Sequence, residues 1–171
     1  MTVEIIHVST PDKIAAIERL AQEIWPQHFT PIIGASQVVY MLGKYQSAEA
    51  IFCQIKSGWE YYVVMVDNEM VGYAGLVPDV DAKSLMLSKI YVKKLARGKG
   101  VGKSFLDFVE RKCKLEEFST LWLTVNRFNS GPISWYEDRG FVTIDAVKKD
   151  IGGGFIMDDY VMERKIKVEN A

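Results

Sequence analysis

A chain of 171 residues predicts one domain, at roughly 150 residues per domain, and one large enough to bury a core without disulfide staples. Lys plus Arg number 21 against 22 Asp plus Glu, a formal net charge of -1, which excludes a chain-wide basic footprint for nucleic acid and an acidic disordered tail. The longest wholly apolar run, Tyr61–Val66, falls far short of the ~20 residues a membrane helix needs. Met1–Ser9 carries Glu4 and His7 with no basic start, so no signal peptide is expected and the predicted location is cytoplasmic. Two cysteines, Cys53 and Cys113, and two histidines, His7 and His28, leave almost no raw material for a zinc site, a disulfide framework or a histidine-based triad, and no metal is expected.

In chain order, Val3–Val8 is a β-branched run that predicts a first strand. Thr10-Pro11-Asp12 reads as a helix start, with a hydroxyl cap, a proline in the first turn and an acid beside it. Ile14, Ile17, Leu20, Ala21 and Ile24 follow at spacings of three and four, so one face of that helix meets a core. Trp25-Pro26 predicts its end, because the residue before proline disfavours helical geometry, and 26–31 then reads as a loop. Residues 34–57 predict helix in two pieces, broken near Gly43–Ser47. Tyr61–Val66 and Met70–Leu76 predict two strands of a hairpin turning at Asp67-Asn68-Glu69, with Gly72 and Gly75 marking a bulge or a close backbone approach.

Leu85–Val92 predicts a further strand, Phe105–Cys113 a helix, and Leu121–Val125 a strand buried on both faces. Pro132–Arg139 predicts a short helix closed by Gly140, and Phe141–Val147 and Phe155–Arg164 the last two strands. No repeat or linker breaks the pattern, so 1–171 is expected to be a single mixed α/β domain with helices on both faces of its sheet.

The most informative segment joins Ile90-Tyr91-Val92 through a short link to Arg97-Gly98-Lys99-Gly100-Val101-Gly102-Lys103-Ser104 at the start of a helix. Glycines let backbone N–H groups converge on phosphate oxygens, a helix N-terminus adds partial positive charge, and Arg97, Lys99 and Lys103 add cations. A dinucleotide loop needs a third glycine at Lys103 or Phe105, and a P-loop needs one at Arg97, so both spacings fail. The remaining pattern, Arg97-x-x-Gly100-x-Gly102, resembles the acyl-CoA pyrophosphate loop of the GNAT acetyltransferases. Downstream, Asn129-Ser130-Gly131-Pro132-Ile133-Ser134-Trp135-Tyr136-Glu137-Asp138-Arg139-Gly140-Phe141 resembles that family's N-x-x-A-I-x-F-Y-E-K-x-G-F signature, with Pro132 in place of the alanine.

The resemblance, which covers nearly the whole chain, implies a mostly antiparallel sheet of about seven strands whose central parallel pair splays around the pantetheine arm. It implies acetyl-CoA as acetyl donor, with the loop residues Arg97, Gly98, Lys99, Gly100, Val101, Gly102, Lys103 and Ser104 on the pyrophosphate. It puts the backbones of Ile90, Tyr91 and Val92 on the pantetheine and thioester carbonyl, and Asn129 on the pantetheine from the other side. Asn129 reads equally as the cap of the short helix. Tyr136 takes the role of the acid that meets the departing thiolate, or else packs with Trp135 as core. Polyamine acetyltransferases of this superfamily place a glutamate base where this chain has Ser88, flanked by Leu87 and Lys89; Glu60, Asp79 and Asp81 are alternatives.

Acceptor specificity is expected from 25–33, 40–45 and the last hairpin, where Gly152-Gly153-Gly154 leads to the acidic pair Asp158-Asp159. The expected acceptor is a small primary amine, polyamine-like or otherwise, attacked directly in a ternary complex. The alternatives are a protein amine or a non-catalytic acyl-CoA-binding module. The resemblance also implies a homodimer joined through the last strands, with no nucleic-acid or membrane partner.

Overall fold

The computed structural model describes residues 1–168. Among them lie, in chain order, β1 (Val3–His7), α1 (Pro11–Ile33), α2 (Ala35–Tyr45), α3 (Ala48–Lys56), β2 (Glu60–Val66) and β3 (Glu69–Asp79). There follow β4 (Ser84–Val92), α4 (Val101–Leu115), β5 (Thr120–Asn126), α5 (Ser130–Glu137), β6 (Val142–Gly152) and β7 (Phe155–Lys165). The strands form one mixed seven-stranded sheet in the order β1-β2-β3-β4-β5-β7-β6. It is mostly antiparallel, and its parallel pair, β4 with β5, follows from the α4 crossover between them.

By its internal contacts the chain divides into two compact units, Met1–Pro78 with Ser88–Val109, and Asp79–Leu87 with the chain from Glu110 onward. In the first unit, α1 starts as its sequence dictates: the Thr10 hydroxyl accepts from Lys13 N at 3.4 Å, and Ile14, Ile17, Leu20, Ala21 and Ile24 are all buried. The helix does not end at Trp25. It runs on through Pro26 and Pro31 to Ile33. A proline inside a helix costs about 3 kcal/mol. Continuing the helix buries Trp25 and Phe29, whose rings lie 4.3 Å apart and edge onto Tyr91 at 5.4 and 6.0 Å. The two prolines together cost about 6 kcal/mol, and burying two large side chains at ~1.5–3 kcal/mol each returns between half and all of it. Tertiary burial overrides the local rule.

The helix break comes at Gln46-Ser47, inside the expected window, and Ser47 caps α3 by accepting from Ala50 N at 3.2 Å. Asp67 and Asn68 make the β2–β3 turn with both φ angles positive, 48° and 68°, so Glu69 belongs to the strand and not the turn. Gly72 answers a close approach: a Cβ there would lie 2.6 Å from the Tyr91 carbonyl oxygen.

In the second unit, β5 pairs with β7 along its whole length, from Thr120–Lys165 to Asn126–Asp159, while its parallel ladder with β4 spans only Ser84–Met86 against Thr120–Trp122. Leu121, Leu123 and Val125 are buried while Trp122 and Thr124 are half-buried, so β5 alternates and is not buried on both faces. Gly152, Gly153 and Gly154, all with positive φ, turn the chain between β6 and β7. Beyond α5, β6 forms the sheet edge and is exposed along nearly all its length.

Candidate functional site

The glycine loop is built as its sequence predicts. After β4 a short 3-10 turn, Lys94–Ala96, leads to Arg97, and Gly98 and Gly100 take φ of 74° and 81° before α4 starts at Val101. The Ser104 N–H and hydroxyl both bond the Gly100 carbonyl at 3.0 Å, which fixes the first turn of α4. The N–H groups of Val101, Gly102 and Lys103 precede the first bond of α4, which the Ser104 N–H makes to the Gly100 carbonyl. Three first-turn donors at a helix N-terminus, carrying its partial positive charge, fit a diphosphate.

The cations of the loop differ from one another. Arg97 is anchored, its Nε donating to the Val92 carbonyl at 2.9 Å, and so ties the loop to the strand before it. Lys103 pairs with Asp107 one turn along α4 at 3.0 Å. Lys99 is exposed and makes no ion pair among the described residues. The loop therefore offers one mobile ammonium rather than three free cations.

Ile90, Tyr91 and Val92 end β4 in the same unit, half-buried. Gly72 of β3 lets the Tyr91 carbonyl come close, and the Lys93 N–H bonds the Val71 carbonyl at 2.8 Å. The Tyr91 ring is gripped by Trp25, Phe29 and Tyr73, which holds the strand's path. Trp25 and Phe29 thus line a core and not an acceptor pocket.

In the second unit, Asn129 is buried and stands at the N-terminus of α5, its N–H bonded to the Asn126 carbonyl at 2.9 Å and its carbonyl taking the Ile133 N–H. No side-chain cap bond forms at Asn129, so the cap reading rests on its backbone alone. Tyr136, 7% exposed, packs edge-on between Trp135 and Phe141 with centroids at 5.3 and 5.4 Å. Its hydroxyl has no hydrogen-bond partner among the described residues, and burial raises it above the ordinary phenol range. The phenol is therefore protonated throughout the physiological range.

One feature escaped the sequence. Lys89 is buried, its Nζ donating to the Tyr45 carbonyl at the end of α2 and to Gln54 Oε1 at 3.1 Å, above the rings of Trp59 and Tyr61. Desolvation lowers it to about 7. The signal was the alternation of Leu85, Leu87 and Lys89, which puts the lysine on the buried face. Asp158-Asp159 sit inside β7, within the strand expected over Phe155–Arg164; Asp158 pairs with Arg127 at 2.7 Å and Asp159 is buried. Of the alternative bases, Asp79 is exposed and caps a turn by accepting from Ala82 N at 3.0 Å.

Comparison with known proteins places this arrangement among relatives. The model of the acetyltransferase (GNAT) family matches residues 17–141. An uncharacterized N-acetyltransferase in the pepI 3' region of Lactobacillus delbrueckii subsp. lactis is 34% identical over 86 residues, 47% of this chain and 50% of that protein. The uncharacterized N-acetyltransferase YjgM of Escherichia coli K12 is 31% identical over 90 residues, 52% of this chain and 54% of that one. The chain thus matches about half the length of these curated relatives. The crystal structure of the PaiA N-acetyltransferase of Thermoplasma acidophilum in complex with coenzyme A superposes with a TM-score of 0.80 at 24% identity, covering 96% of this chain and 99% of that one.

Proposed function

The chain belongs to the GNAT acetyltransferase family, and from that premise we propose that it is an acetyl-CoA-dependent N-acetyltransferase acting on a primary amine of a small molecule. The observation that carries this reading is the loop from Arg97 to Ser104, whose positive-φ glycines lead straight into the N-terminus of α4. Residues 1–171 act in this proposal as one acetyltransferase domain, located in the cytoplasm.

Acetyl-CoA supplies the activated acetyl group. The loop donors from Gly98 to Lys103 bind its diphosphate, Lys99 adds the mobile charge, and Arg97 keeps the loop in register with Val92. Backbone groups of Ile90, Tyr91 and Val92 orient the pantetheine and polarise the thioester carbonyl as an oxyanion hole. Asn129 bonds the pantetheine. Tyr136 holds a neutral hydroxyl ready for the sulfur, where a hydrogen bond or proton stabilises the departing thiolate.

The proposal extends to assembly. β6 offers an exposed edge with Val142, Ile144 and Val147 at 58, 52 and 38% exposure, and a second copy pairing there forms a homodimer. The deciding experiment for the activity measures thiol release from acetyl-CoA against a panel of aliphatic amines, arylamines and N-terminal peptides. Turnover with an aliphatic amine supports the reading; tight acetyl-CoA binding with no turnover of any acceptor overturns it in favour of a binding module.

A further inference from the structure

The two adjacent carboxyl groups of β7 differ sharply. Asp158 has its counter-ion in Arg127, at 2.7 Å. Asp159 beside it is 6% exposed, and its carboxylate makes no hydrogen bond or ion pair among the described residues. Neither of its oxygens is sealed from solvent, in contrast to Asp158 Oδ1. A carboxylate held nearly out of water without a partner is costly, so its environment calls for a cation or a proton.

Its place in the sheet says which molecule that cation belongs to. Asp159 stands directly opposite Asn126 of β5 and Val147 of β6, and the Asn126 carbonyl holds the Asn129 N–H. Asp159 therefore lies one strand away from the residue proposed to hold the pantetheine. It shares the Asn126 side of β5, at the end where the β4–β5 ladder has already stopped. Its neighbours in the sheet carry little free charge. Asp158 is answered by Arg127, Lys148 of β6 stands opposite Asp158, and Asn126 and Val147 are uncharged. Burial, then the neighbouring Asp158, raises the Asp159 carboxyl to about 6.

We propose that Asp159 binds the ammonium of the acceptor and takes its proton, so that the substrate class is a cationic aliphatic amine. This rests on the reading given under Proposed function and supplies the base that Ser88 lacks. One Asp159 oxygen accepts a proton from the ammonium, and the N–H electrons stay on nitrogen as a lone pair. That pair forms the bond to the thioester carbonyl carbon as the C–S electrons leave on sulfur. The nitrogen's second proton replaces the one delivered to sulfur, giving amide and free thiol, and water removes the proton from Asp159.

The test compares wild type with Asp159→Asn and Asp159→Glu, using 1,4-diaminobutane and 4-nitroaniline as acceptors. In the wild type, kcat/KM for the diamine levels off above about pH 6 and exceeds that for the arylamine. In Asp159→Asn it falls about 10²–10³-fold at pH 7, the range for a positioned base. It then climbs tenfold per pH unit to pH 9, because only free amine reacts. Asp159→Glu recovers part of the rate, and acetyl-CoA affinity stays within threefold throughout. An Asp159→Asn enzyme with wild-type rate and pH profile overturns the proposal. A second measurement needs neither the variant's folding nor turnover: the carboxyl titration of Asp159 in ¹³C-labelled wild type with coenzyme A. Its midpoint falls by a unit or more when 1,4-diaminobutane is added, and an unmoved midpoint overturns the proposal even if the enzyme is active. A wild type that turns over no amine refutes the acetyltransferase reading, and the titration still decides for or against Asp159.

Discussion

Tyr136 and Lys89 are both buried ionisable groups, and their protonation has opposite consequences. Burial holds the Tyr136 phenol neutral, so ionisation of this residue removes no activity up to pH 10, and a steady-state pH profile checks it. Tyr136→Phe keeps the ring contacts with Trp135 and Phe141 and deletes one oxygen. It should lower kcat by about 10²–10⁴-fold while acetyl-CoA affinity stays within a few-fold, the pattern of an interaction made mainly in the transition state. An unchanged kcat would assign the phenol to packing. Lys89 instead gives up its proton easily, at about 7 against an ordinary ~10.4. Between those values the unfolded chain binds a proton that the native state does not, so this group's contribution to stability rises with pH across that window. Below it, the native state carries the full penalty of a buried ammonium. Denaturant unfolding of wild type and Lys89→Met at pH 7 and pH 10 should show the difference shifting toward wild type by a few kcal/mol.

At the scale of elements, β3 and β4 come together only because Gly72 has no side chain. Gly72→Ala puts a Cβ 2.6 Å from the Tyr91 carbonyl oxygen, a backbone atom that cannot swing aside. The variant should lose about 1–3 kcal/mol of stability, as over-packed sites do. Its acetyl-CoA affinity should fall too, since the displaced strand carries Ile90–Val92; calorimetry of binding and unfolding reads both. Strand–loop–helix around Arg97–Ser104 was legible because glycine, charge and the switch from period two to helical spacing are local signals. So was the capping Thr10 and the hairpin at Asp67-Asn68. The end of α1 was not, because the proline rule weighs one residue and its neighbour, whereas Trp25 and Phe29 bind the helix to a tyrosine over sixty positions away. The strand that holds Asp159 was legible, but its burial was not, because the strands that flank it come from elsewhere in the chain.

For the whole molecule, the loop assignment predicts a ligand-dependent stability. Acetyl-CoA at a hundredfold excess over Kd should stabilise the chain by ~2.7 kcal/mol, and ATP or NAD should do little. Gly102→Glu sets a carboxylate in the first turn of α4, where the proposed diphosphate sits, and should abolish the thermal shift. A retained shift in that variant would move the donor site elsewhere. Assembly is tested independently: light scattering should give a dimer mass that Ile144→Lys, on the exposed edge strand, converts to monomer.

The two prolines within α1 carry a consequence for how the native state fluctuates. Pro26 and Pro31 donate no N–H, so the helical bonds to the carbonyls of Gln22 and Gln27 are absent and the rod is hydrogen-bonded in segments. Its last turns can open without unzipping the first four, as a small cooperative unit with its own protection against hydrogen exchange. Opening them frees Phe29, and with it one wall of the aromatic grip on Tyr91. Donor binding at β4 would therefore be felt as slowed amide exchange across Gln27–Ile33, through the Phe29 contact with Tyr91.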